Sequence, residues 1–106
     1  MTVSDVMILD DVPSDLRDGK SFYDERETGV GDYFWDSIIA DIESLVLYAG
    51  IHPRECGLHR MLSRRFPYAV YYEIFDNVAY VVAVLPMRRN PKWRKSILEQ
   101  RDNHVI

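Results

Sequence analysis

Apolar positions follow two different periods along this chain, and the change falls near its midpoint. The first cluster, Val6, Met7, Ile8 and Leu9, is bounded by Asp10 and Asp11 and reads as a short strand. Ser14 is an N-cap candidate for a first helix, in which Leu16, Phe22, Tyr23 and Arg26 keep rough helical spacing until Gly29 and Gly31 interrupt it. Gly19 weakens that helix locally, since glycine has the least restricted backbone. Asp32 is the cap candidate for a stronger helix: Trp35, Ile38, Ile42, Leu45 and Ala49 recur at intervals of three and four, and Phe34, Ile39 and Val46 widen the stripe. Asp36, Asp41 and Glu43 fall mainly outside it. Two helices joined by so short a turn predict an antiparallel helical hairpin with one apolar side to bury.

Beyond Gly50 and the His52-Pro53 loop the period becomes two. Phe66, Tyr68, Val70, Tyr72 and Ile74 share one face of a predicted strand, and Asp76-Asn77 is a two-residue turn signal. Val78 to Leu85 is apolar on both faces, which predicts an interior strand, and Pro86 ends it for want of an N–H. A shorter strand around Arg60 to Ser63 precedes this hairpin. Asn90 to Leu98 can form one or two helical turns, and a tail follows from about residue 99. A strand, two helices and a three-stranded meander make an α+β pattern, with the helical hairpin over one face of a small, mostly antiparallel sheet.

Length and composition narrow this reading. The 106 residues, 47% apolar and 28% charged, fit one domain over 1–106 and argue against disordered or low-complexity classes. Cys56 has no internal partner and no leader pattern opens the chain, so a reducing cytoplasm is expected. The longest nearly uncharged stretch, Val78 to Met87, is well short of the roughly 20 residues that cross a bilayer. The formal charge of −4 conceals a division: residues 1–50 hold three basic against twelve acidic side chains, and residues 51–106 hold ten against five. The halves therefore stand at −9 and +5, and a polarised surface is expected.

Three segments, in order, resemble the RelE/ParE superfamily of type II toxin-antitoxin toxins, also called plasmid-stabilisation proteins, and lie closer to its ParE-like branch. They are Phe22-Tyr23 with Gly29-Val30-Gly31-Asp32-Tyr33-Phe34; Met61 to Glu73, containing Arg64-Arg65-Phe66-Pro67-Tyr68; and Val82 to Pro91, containing Arg88-Arg89. The resemblance implies the compact fold just described, together with a groove for an extended or helical arm of a cognate antitoxin. Some members of the superfamily cut messenger RNA on the ribosome, whereas ParE proper poisons DNA gyrase without being a nuclease.

A metal-free ribonuclease needs clustered Lys, Arg, Tyr or His to activate the 2′-hydroxyl and stabilise the phosphorane. The nuclease members carry a basic residue directly after the strand tyrosine, where this chain has Ala69, and a tyrosine near the C-terminus, where it has Trp93 among Lys92, Arg94 and Lys95. Pro86 stands where ParE-like relatives have a histidine. The expectation is thus an interaction-driven toxin acting on a target such as gyrase, with an mRNA endoribonuclease and a non-toxic relative as alternatives and no catalytic residue assigned. Arg60, Arg64, Arg65, Arg88, Arg89 and Trp93 are the candidate target- or antitoxin-binding residues. The competing reading of the arginines is surface ion pairs with the acidic helices, worth about 0–1 kcal/mol each. His52, His59, His104 and Cys56 lack metal-ligand spacing, so no metal or cofactor is expected. Tyr68, Tyr71, Tyr72 and Tyr80 are read as core and cross-strand residues before they are read as a stacking platform. A homo- or hetero-oligomer is left open.

Overall fold

The computed structural model describes residues 2–101. Five strands form one sheet in the order β1-β5-β4-β3-β2, built from β1 (Asp5–Ile8), β2 (Arg54–Glu55), β3 (Leu58–Leu62), β4 (Tyr68–Phe75) and β5 (Val78–Pro86). Every neighbouring pair is antiparallel except β1 with β5, where Asp5 to Ile8 run alongside Val78 to Val81. Helices α1 (Val12–Asp24), α2 (Val30–Glu43) and the single turn α3 (Leu45–Tyr48) follow β1, and α4 (Pro91–Arg101) closes the described chain.

The sheet is buried on both faces, which explains why β5 lacks alternation. On one face Tyr68, Val70, Tyr72, Val81 and Val84 meet Leu16, Phe34, Ile38 and Leu45 of the helical hairpin. On the other, Ala69, Tyr71, Val82, Ala83 and Leu85 pack with Leu98, Trp93 and Ile97 of α4. The predicted shared face of Phe66, Tyr68, Val70, Tyr72 and Ile74 is the one under the hairpin. Asp76 and Asn77 both take positive φ, at 51° and 64°, as a tight hairpin turn of this kind requires.

Several boundaries differ from the sequence expectation. The first strand starts one residue earlier, because its register is set by β5. Helix α1 begins at Val12, two residues before Ser14, with Asp11 as an N-cap that makes no side-chain bond and Pro13 in the first turn, where its missing N–H costs nothing. Helix α2 begins at Val30, after Gly29 at φ 94°, so Asp32 lies inside its first turn. Its capping carboxylate comes from the other helix: Asp24 Oδ1 accepts the Gly31 N–H at 2.8 Å. The long second helix breaks at Ser44, whose hydroxyl donates to the Asp41 carbonyl at 2.6 Å and competes with the helical ladder.

The short third strand is Leu58–Leu62, shifted toward the N-terminus, because an unforeseen partner, β2, joins it through Cys56 and Gly57, both at positive φ. The hairpin strand starts at Tyr68, since Pro67 sits in a turn closed by Tyr68 N–H on the Phe66 carbonyl. Pro86 is the last residue of β5, opposite Tyr68. Helix α4 is longer than expected: Asn90 caps it through its side chain, and residues 99–101, assigned to a tail, are its last turn. Residues 102–106, including His104, lie outside the described residues.

Gly19 has a role that propensity does not reveal. A Cβ there would lie 2.4 Å from the Phe34 ring, so the glycine lets the two helices approach each other closely.

Candidate functional site: a groove and a cationic rim

The loops after β3 and β5 meet at one end of the sheet, where Met87 N–H donates to the Pro67 carbonyl at 2.8 Å. Arg64 and Arg65 leave the first loop and Arg88 and Arg89 the second, so four of the six candidate residues share an end and all four are exposed. Trp93 joins them through Arg89, whose guanidinium lies 4.0 Å from its ring centroid. The ion-pair alternative is not realised: among the described residues none of these four arginines is bridged to a carboxylate. Arg88 instead lies 3.5 Å from the Phe22 centroid and donates to the Tyr68 hydroxyl at 3.2 Å, while Arg65 stands 5.9 Å from Tyr33.

Arg60 is elsewhere. Its register partner is Tyr71, and its guanidinium pairs with Glu55 at 2.9 Å. Glu55 also accepts the Tyr71 hydroxyl at 3.0 Å and approaches Arg94 Nε at 3.8 Å. Burial, and then the hydrogen bond to Glu55, push the Tyr71 phenol up to about 12. With both arginines drawn to the Glu55 carboxylate and Tyr71 fully buried, this network ties the β2-β3 hairpin to α4 and does not belong to the rim.

A groove of about 490 Å³ opens beside Arg64 and Arg65, between the end of α2, α3 and β3. Its apolar wall includes Tyr48, Ile51 and Leu62, which are 51%, 71% and 53% exposed and so present apolar surface to solvent. Its floor is held by Asp41, a buried carboxylate that accepts the Ser63 hydroxyl at 2.8 Å and the Arg64 N–H at 3.4 Å, fixing the arginine loop to α2. The register puts the N–H and C=O of Leu62 on the side of β3 turned away from β4, beyond the reach of the two-residue β2. That backbone edge can accept an added strand.

His52 forms part of the groove wall. The Tyr72 hydroxyl accepts the Gly50 N–H at 2.9 Å and donates to His52 Nδ1, while His59 stacks on the Tyr72 ring with 5.0 Å between centroids. Burial, with a smaller contribution from His59, lowers the His52 pKa and favours the neutral imidazole that accepts from Tyr72. Burial likewise raises the Tyr72 phenol. Sequence spacing concealed this cluster because its members come from a loop, β3 and β4. Among the described residues no group of three His, Cys, Asp or Glu is placed to hold a metal ion.

The apolar groove residues were also missed. Ile51, an exposed apolar residue just after a helix-ending glycine, was the one sequence signal for them. Tyr68, Tyr71 and Tyr72 are buried, as the core reading of the tyrosines expected.

The architecture is an α+β, RelE/ParE-like fold. No family model and no curated protein matches the sequence. Among solved structures, the chain is similar to a chain of the chromosomal ParDE toxin-antitoxin system from P. aeruginosa, with a TM-score of 0.70 and 11% identity over 77% of this chain and 94% of that one.

Proposed function

We propose that this protein is the toxin component of a type II toxin-antitoxin pair, held inactive by an antitoxin arm lying in the groove beside β3. The observation that carries this reading is an open, apolar-walled groove lined also by Arg64 and Arg65, which among the described residues pair with no carboxylate, in a chain that shares its fold with a ParDE chain. The arm that fits presents large apolar side chains to Tyr48, Ile51 and Leu62, adds main-chain bonds at Leu62, and sets acidic residues against Arg64 and Arg65. Its target is of the gyrase kind. Ala69, where the nucleases carry a cation, is fully buried in the layer under α4, so no cation stands at that point of the sheet to stabilise a phosphorane.

Inducing the chain without and with the protein of the adjacent short reading frame tests the pair: growth arrest relieved by co-expression is expected. Leu62→Asp in the groove should abolish capture of that partner while the protein stays folded. Inhibition of supercoiling by purified protein supports the gyrase reading. Discrete messenger RNA cuts lost in Arg89→Ala would replace it with the endoribonuclease reading. Normal growth with soluble, folded protein would leave a partner-binding relative without toxicity.

A further inference from the structure

One side chain of the sheet holds a wall of the groove from beneath. Gly50, at φ 99°, turns the chain after α3, and a Cβ there would stand 3.4 Å from Ile74 Cδ1, so the turn lies against β4. The Tyr72 hydroxyl takes the Gly50 N–H at 2.9 Å and gives its own proton to His52 Nδ1. Residues on both sides of Ile51 are thus tied to one oxygen, and Ile51 between them stands 71% exposed in the groove wall.

Proton counting makes this clasp conditional. A phenol has one proton to donate, Tyr72 is fully buried, and among the described residues Nδ1 of a neutral His52 is the acceptor of that proton. Protonated His52 carries a hydrogen at Nδ1 and can only donate, which leaves the phenol proton unsatisfied in the interior and weakens the contact. His59 is indifferent: its Nδ1 donates to the His52 carbonyl at 2.9 Å, and either charge state allows that bond. The surrounding charges have definite signs. His59 from β3, Arg54 of β2 near the Tyr72 phenol, and Arg64 and Arg65 on the groove oppose a positive charge on His52. Asp41 of α2 favours one, but its carboxylate is already engaged by Ser63 and the Arg64 N–H. Burial and His59 hold His52 below the ordinary histidine value, so the clasp is complete at neutral pH and is lost as pH falls through that lowered value.

We propose that Tyr72 and His52 form a pH-sensitive latch on the groove: with His52 neutral the turn at 50–52 is held and Ile51 is presented, and protonation of His52 releases the turn and weakens the grip on the partner arm. The effect on the arm rests on the reading of the groove given above, whereas the latch itself does not. Charge acts in the same direction as release, because an arm that covers Ile51 with apolar side chains must also desolvate the imidazolium beside it.

The test follows the full chain at low micromolar concentration by hydrogen exchange and mass spectrometry at pH 7 and pH 5, with protection corrected for the intrinsic pH dependence of exchange. In the wild type, segment 50–52 should lose at least threefold protection at pH 5 relative to β4. His52→Asn sets an amide oxygen where Nδ1 stands, accepts from Tyr72 and does not titrate, so its protection should be equal at both pH values. Tyr72→Phe keeps the ring against His59 but removes both bonds, and should expose the segment at either pH; if it fails to fold, His52→Asn still decides. Binding of the protein from the adjacent short reading frame is then titrated. The ratio of wild-type to His52→Asn affinity should fall at least fivefold from pH 7 to pH 5, a comparison in which titration of the partner cancels. Wild-type protection that ignores pH, or a response that persists in His52→Asn, overturns the latch. A response in exchange with a constant affinity ratio overturns its control of the groove. Absence of binding at both pH values refutes the antitoxin reading instead, and the exchange result still decides the latch.

Discussion

The end of α4 is fastened to α1 by a buried ion pair, and its energetics can be worked from its surroundings. Strand β1 ends at Ile8, so the outward N–H groups of β5 beyond Val81 have no strand partner. Asp15 of α1 accepts the Val84 N–H there at 2.9 Å and pairs through both oxygens with the Arg101 guanidinium. The Asp15 and Arg101 side chains are 7% and 16% exposed. Burial raises the Asp15 pKa despite Arg101, whose hydrogen bond is the largest opposing influence. Arg101→Met keeps the aliphatic stem but leaves the carboxylate buried without its cation, a kind of loss that costs 3–5 kcal/mol when burial is complete. With Arg101 slightly exposed, we expect a deficit of about 3 kcal/mol at pH 7.

The sign of the pH dependence follows from the cause. Removing Arg101 raises the folded-state pKa of Asp15 further above its unfolded value, so the variant takes up a proton on folding at a higher pH than the wild type does. Its deficit should shrink as pH falls through that window, by up to about 1.4 kcal/mol per unit. Urea unfolding followed by tryptophan fluorescence at pH 7 and pH 5 measures it. Asp15→Asn/Arg101→Met should recover more than half of the loss, because the amide oxygen still accepts from Val84 and carries no charge. A deficit that is independent of pH and not recovered in the double variant would refute the reasoning, leaving Arg101 a packing role only.

Other expectations follow from single contacts. Gly19→Ala, stabilising in an isolated helix, should lower stability here by about 1–3 kcal/mol through the Phe34 clash, and chemical denaturation reads the sign directly. Asp24→Ala removes the cap on Gly31 and the Lys20 pair and should cost about 1 kcal/mol, also by denaturation. Tyr71, with its phenol near 12, should be the last tyrosine to ionise in an absorbance titration. Its protonated form is favoured by folding, so the stability it contributes is present below pH 10 and lost as pH rises toward 12, and Tyr71→Phe should remove that loss. Asp41→Ala frees the Ser63 hydroxyl and the Arg64 N–H, and should accelerate amide exchange in the arginine loop while lowering partner capture.

The contrast between helical and strand halves was legible because each period states which face is buried. Phe34, Ile38, Ile42 and Leu45 name the core side of the second helix, and Tyr68, Val70 and Tyr72 name the face they meet. The turn at Asp76-Asn77 and the pairing across it follow from local chemistry alone. The clustering of Arg64 and Arg65 with Arg88 and Arg89 was also readable, since a hairpin strand and its neighbour return to the same end of a sheet. Where each arginine points was not: Arg60 lies two residues from Leu62 on the same strand, yet it turns to pair with Glu55 because β2 exists, and β2 has two residues and an atypical turn.

What the chain determined by itself, then, is periodicity, and with it the hairpins, the layers and the α+β class. The tertiary structure alone decided the Asp15-Arg101 fastening, the Asp24 cap, the His52-Tyr72-His59 cluster and the groove floor at Asp41. They join groups from 7 to 86 residues apart, whose partners are polar atoms left over after the strands and helices have paired. No local pattern encodes such a vacancy, because it is created by where another strand happens to end.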